Sequence, residues 1–238
     1  MTTPTSLERH RQGGPPLIVP ALVATLLTAI TVVLGASGPR STDSGADALA
    51  YDLGHHTLLV VLGTVLFGVS VPLAIWTGAT YRRLRQLGVT APGTAIGLAG
   101  GLLAAASLAV SGLVTWAAGE SATAGDPGLA RAMTDLAFAT GGAGFVVPFG
   151  LLIAGVAVPS LILRFVPRPL AWIGLVIGAL AMLATFSLVV PALDPLLPVG
   201  RFGGLIWLCV VSVLLPHSRA RRNRAGQSAP AESTLTTV

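Results

Sequence analysis

"TLLVVLGTVLFGVSVPLAIWTGATYRRLRQLG", residues 57–88, decides the fold. Residues 57–79 carry no charge, and Arg82, Arg83 and Arg85 follow directly. As a helix rising 1.5 Å per residue, the uncharged run reaches about 34 Å, enough for a hydrocarbon core about 30 Å thick. Lipid offers the backbone no hydrogen-bond partner, so such a run must pair its own N–H and C=O groups, and a helix does so. The arginines that close it mark an end that stays in water, on the side where membrane proteins retain positive charge.

Five more stretches meet the same requirement, which gives spans at about 17–36, 57–79, 93–117, 134–160, 170–192 and 196–216. The composition agrees: 53% of the 238 residues are hydrophobic and 10% are charged, against about a quarter charged in soluble domains. The expected fold is an all-α membrane protein, a six-transmembrane-helix bundle. Residues 1–16 form an N-terminal tail, 17–216 the transmembrane domain, and 217–238 a basic tail rich in Ser, Thr, Ala and Pro, for which the composition predicts disorder. The longest loop between spans is read as "SGPRSTDSGADALAYDLGHH", residues 37–56.

Arginines orient the bundle. Arg9, Arg11, Arg82, Arg83, Arg85, Arg164, Arg168, Arg219, Arg221, Arg222 and Arg224 fall on one side, while Arg40, Arg131 and Arg201 fall on the other with Asp43, Asp47, Asp52, Glu120, Asp126, Asp135 and Asp194. Positive flanks stay inside, so both termini are expected in the cytoplasm of a plasma membrane. Tryptophan and tyrosine favour the two interfaces, which places Trp76, Tyr81 and Trp172 at the cytoplasmic boundary and Tyr51 and Trp116 at the outer one; Trp207 lies deeper. The first apolar run is longer than a signal-peptide core, so it reads as a retained anchor despite the small residues of "LGASG".

All 14 basic residues are arginine, with no lysine, a bias of a GC-rich bacterial genome rather than a nucleic-acid footprint. The charges are scattered in short clusters between apolar runs, so no nucleic-acid partner is expected. Cys209 is the only cysteine, which excludes an internal disulfide and a cysteine metal site.

Small residues four apart mark faces where helices approach closely in lipid. Gly93, Gly97 and Gly101 form one row, Gly174 with Gly178 a second, and Gly200 with Gly204 a third. These rows are read as packing inside the bundle, with homodimerisation as the other use. Pro72 and Pro148 fall in mid-span and predict kinks, the second beside the glycines of "TGGAGFVVPFG", residues 140–150.

Candidate chemistry is sparse. His55 and His56 are adjacent, so they point about 100° apart on a helix and do not make a one-face metal pair. No histidine lies within a span to activate Ser111, and no phosphate-binding glycine loop is present. No metal, no cofactor and no catalytic residue is expected. Asp135, Asp194 and Arg201 cluster near the outer ends of the last three spans. Residues 202–216 alone reach only about 22 Å, so the last helix must begin near Leu196, which sets Arg201 about one turn below the outer surface. There it snorkels, pairs with Asp135 or Asp194, or meets an anionic ligand. A pairing of Arg131 with Asp135 at i,i+4 is also available.

Three segments, "RAMTDLAFATGGAGFVVP", "FVPRPLAWIGLVIGAL" and "GRFGGLIWLCVVSVLLP", resemble a family of small uncharacterised six-helix membrane proteins of actinobacterial type. The resemblance implies a six-helix inner-membrane protein and transfers no catalytic residue. The expected function is a structural or accessory membrane component, whose partners are the bilayer and either another membrane protein or a second copy. The alternative is a small secondary transporter with its site at Asp135, Asp194 and Arg201.

Overall fold

The computed structural model describes residues 16–38, 44–121 and 125–216, and every regular element among them is helical. The chain runs through α1 (Ile18–Leu34), α2 (Gly45–Gln86), α3 (Gly93–Ser121), α4 (Pro127–Gly141), α5 (Ala143–Ile162) and α6 (Arg168–Leu183). A 3-10 turn, Ala184–Leu188, extends α6. The last span is composite: a 3-10 turn (Pro191–Leu193), α7 (Leu196–Pro198), a π turn (Val199–Gly203) and α8 (Gly204–Leu214). Five helical runs are long and apolar enough to cross a membrane, while α1 has 17 residues and is shorter. The protein is an all-α, multi-pass membrane bundle. The two tails lie outside the described residues, apart from Pro16 at the end of the first.

The largest departure from the sequence reading is α2. The expected loop over 37–56 is helical from Gly45 onward, because Ser44 and Asp47 form a capping box in which each side chain accepts from the other's backbone N–H. The resulting 42-residue helix is about 63 Å long, twice the hydrocarbon thickness. The uncharged run 57–79 spans, and residues 45–56 project beyond it. Backbone geometry departs from helical values at His55 (φ −131°, ψ 24°) and at Gly142 (φ −84°, ψ −104°) between α4 and α5. Neither break falls at a proline. Pro72 lies inside α2 and Pro148 inside α5, so the irregularity expected at Pro148 sits six residues earlier, at the glycine pair.

Helix α2 packs along α3, α3 along α5, and α5 along α6, while α1 bridges α2 and α8. The α2–α3 seam is as close as backbones permit: a Cβ on Gly63 would stand 2.5 Å from the Trp116 nitrogen, and one on Gly112 2.5 Å from the Phe67 nitrogen. Of the rows read from the sequence, Gly97 faces Gly155, Gly101 faces Thr77, Gly178 faces Gly150, and Gly200 and Gly204 face Val146 and Phe149. Only Gly93 among them has open space. The rows serve contacts within the chain.

Trp76 corrects the interfacial reading. It is fully buried and donates Nε1–H to Ser212 Oγ of α8 at 2.7 Å, because the buried face of α2 carries it inward rather than toward the headgroups. Trp207 donates to the Leu170 carbonyl at 2.9 Å, its ring against Gly174. Trp172 and Trp116 remain exposed, as boundary residues are.

Candidate functional site: an arginine at a broken helix

The site is built on the Gly142 break. In an unbroken helix the Phe145 N–H would bond to the Gly141 carbonyl, but here it bonds to Gly142 O at 3.2 Å, and Val146 N–H also bonds to Gly142 O, at 2.9 Å. The carbonyl of Gly141 therefore has no helical partner. Arg201 supplies one: its Nη2–H donates to Gly141 O. The guanidinium carbon also lies 5.3 Å from the centroid of the Phe145 ring, within cation–π range. That ring stacks in turn on Phe149, 5.0 Å between centroids.

Two features bring Arg201 there. It sits in the π turn Val199–Gly203, and the glycines on either side, Gly200 and Gly204, are close enough to α5 that a Cβ on Gly200 would stand 2.6 Å from Val146 Cγ1. The other side of the break is braced by α3, where the Ser111 hydroxyl donates to Ala137 O at 2.9 Å. Chemically, a cation replaces the missing amide donor of a broken helix and joins the sixth span to the fourth.

Asp135 and Asp194 stand apart from this contact. Asp135 pairs with Arg131, Nε to Oδ2 2.9 Å, on the exposed start of α4. It lies six residues before Gly141, about 9 Å away along the helix axis, so one guanidinium does not serve both groups. Asp194 sits in the loop before α7, where its carbonyl accepts from Leu197 N at 3.0 Å. Among the described residues neither acid forms an ion pair with Arg201. His55 stacks on Tyr51, 4.2 Å between ring centroids, and its Nδ1 lies 3.0 Å from the Tyr51 carbonyl oxygen. Among the described residues no group of three His, Cys, Asp or Glu side chains is arranged to hold a metal.

A further polar position escaped the sequence reading. Asp52, on the part of α2 that projects beyond the apolar run, is 3% exposed. It lines a narrow crevice with Leu49, Ala118, Ser121, Asp126 and Met133, and burial pushes its carboxyl above the usual carboxylate range. Asp126 meanwhile caps α4, its Oδ1 accepting from Gly128 N at 2.8 Å. The serine and aspartate of the 44–47 capping box were the signal that α2 begins early enough to bury Asp52.

No family model, curated protein or solved structure matches the chain.

Proposed function

We propose that this is a plasma-membrane protein without intrinsic catalysis, a structural or accessory component of the bacterial envelope that acts through a membrane-protein partner. It would belong with the small six-helix proteins that its last three spans resemble. The observation that carries this reading is the engagement of Arg201. The charged group that the sequence offers as a ligand candidate is turned onto the protein's own Gly141 carbonyl and Phe145 ring, as a brace is, and the glycine rows, Gly93 apart, are filled by neighbouring helices.

One observation favours a second reading, a small secondary transporter. The break at Gly142 and the π turn at Val199–Gly203 meet at one level, and paired helix discontinuities line substrate sites in some transporters. Proteoliposome uptake with the wild type and Arg201→Ala separates the two. The accessory reading expects no saturable uptake from a broad panel of small solutes, together with a partner captured by crosslinking in the native membrane. Saturable uptake that disappears in Arg201→Ala would overturn it. Compartment-specific reporters at residue 238 and near residues 41, 88 and 124 test the sidedness; a C-terminal reporter active only outside would reverse it.

A further inference from the structure

Three buried side-chain polar atoms among the described residues have no hydrogen-bond partner: Thr80 Oγ1, Arg83 Nη1 and Ser160 Oγ. Buried polar groups are satisfied as a rule, so each exception asks for a cause. All three lie at the same end of the bundle. Thr80 and Arg83 stand three residues apart near the C-terminus of α2, hence on one helix face, and Ser160 is in the last turn of α5. Their exposures are 1%, 7% and 0%. Thr80 follows Trp76 by four residues and Ser160 follows Val156 by four, so each hydroxyl lies on the face by which its helix joins the core, and both helices pack on α3.

Helical hydroxyls commonly donate to the carbonyl four residues back, as Thr77 does to Leu73 and Ser212 to Leu208. Thr80 and Ser160 keep their O–H groups free. The guanidinium is the more demanding member, since a buried charge without a counter-charge is strongly unfavourable. The described part of the chain offers it none: Asp47, Asp52, Glu120, Asp126, Asp135 and Asp194 all lie toward the opposite end, while Arg82, Arg83, Arg85, Arg164 and Arg168 share this one. One guanidinium and two hydroxyl donors match an oxyanion with several acceptor oxygens. Arg83 stands four residues past the uncharged run of α2, about 6 Å beyond it, at the level of lipid headgroups. Basic pockets between helices at that level hold anionic headgroups.

We propose that Arg83, with the hydroxyls of Thr80 and Ser160, forms a binding site for a phosphate-type oxyanion, presented by the headgroup of an anionic phospholipid. Inorganic phosphate shares that chemistry, and the test separates the two sources.

The full chain, purified in neutral detergent, is titrated with short-chain phosphatidylglycerol, short-chain phosphatidylcholine or inorganic phosphate, with binding read by thermal shift and native mass spectrometry. Phosphatidylglycerol is expected to raise the melting temperature and remain bound, and phosphatidylcholine to do neither. Arg83→Gln is expected to weaken phosphatidylglycerol binding by about tenfold or more, the size of one charge-assisted hydrogen bond. The double variant Thr80→Val, Ser160→Ala is expected to weaken it roughly threefold or more, while Arg82→Gln, at an exposed arginine, leaves it near the wild-type value. If Arg83→Gln does not fold, the double variant decides alone. Inorganic phosphate acting as strongly, with the same dependence on Arg83, would assign the site to a soluble anion and overturn the lipid source. Wild-type binding of neither anion, or phosphatidylglycerol binding that the variants leave unchanged, would overturn the site itself.

Discussion

Arg201 and Arg83 each carry a guanidinium below the rim of the bundle, at opposite ends, and they differ in what the backbone beside them offers. Arg201 faces a helix broken at Gly142, and the carbonyl released there accepts its Nη2–H. Arg83 sits on the stretch of α2 that follows Pro72 and is regular to Gln86, where the carbonyls are used by the helix itself, and its Nη1 has no partner. No acid supports either contact among the described residues. Where no carboxylate is within reach, irregular backbone takes over the part of a counter-charge. Where the backbone is regular, the charge stays available to something outside the chain.

The strongest way to break this contrast is to remove Arg201. Arg201→Gln forfeits a charge-assisted hydrogen bond and the contact with the Phe145 ring, and is expected to lower stability in detergent by about 2–3 kcal/mol. Thermal melting measures it, and a variant as stable as the wild type would leave Arg201 only a snorkelling role. Arg83→Met is expected to act in the opposite direction. It keeps the apolar stem and removes a buried charge without a partner, so the protein in neutral, lipid-free detergent gains about 1–2 kcal/mol. Losses at both positions would erase the distinction between a satisfied and an unsatisfied arginine.

The all-α, multi-pass fold was legible in the sequence because it follows from length: lipid demands about 20 uncharged residues, and the 11-residue α8 meets that demand only together with the turns that precede it. The partner of Arg201 was not legible. It depends on which carbonyl the glycines of "TGGAG" release, and that is decided by three-dimensional contacts such as Ser111 on Ala137 rather than by the glycines alone. Trp76 was assigned to the interface from its place near a span end, whereas its buried partner Ser212 lies 136 residues away. The start of α2 was missed for another reason. Hydropathy locates where a helix leaves the membrane, but the capping box at Ser44 and Asp47 sets where the helix begins.

Asp52 extends the comparison to an acid, with an effect confined to one pH window. Burial holds its carboxyl above the ordinary range, so the folded state binds its proton more tightly than the unfolded state. That contribution is fully present below the unfolded pKa and is lost as pH rises through the folded pKa. Asp52→Asn removes the dependence, and the melting temperature of the variant relative to the wild type is expected to climb with pH across that window. Asp126 and Glu120 on the neighbouring helices, Arg131 on α4 and His55 on α2 are common to both proteins, so the difference curve isolates Asp52. Parallel curves would show that its carboxyl is not perturbed by burial.

The smallest effect is expected at Arg164, which tests whether the arginines at the Arg83 end are held for the fold at all. Helices α2 and α5 both end there in the same motif: Val89 N–H bonds to Leu84 O at 3.0 Å after Gly88 at φ +83°, and Phe165 N–H bonds to Ser160 O at 3.1 Å after Arg164 at φ +54°. The left-handed conformation suits glycine, and a side chain there is disfavoured by roughly 1 kcal/mol. Arg164→Gly relieves that strain but gives the unfolded chain more freedom, so a net gain of about 0.5 kcal/mol is expected in detergent melting. Gly88→Arg, the reciprocal change, is expected to lose about 1 kcal/mol. A gain at Arg164 means that the arginine is retained against the preference of its own backbone, as Arg83 is retained without a partner, and places both with a charge directed outside the chain. A loss means that the Arg164 side chain supports the fold, and that Arg83 alone at this end stands in contrast to Arg201.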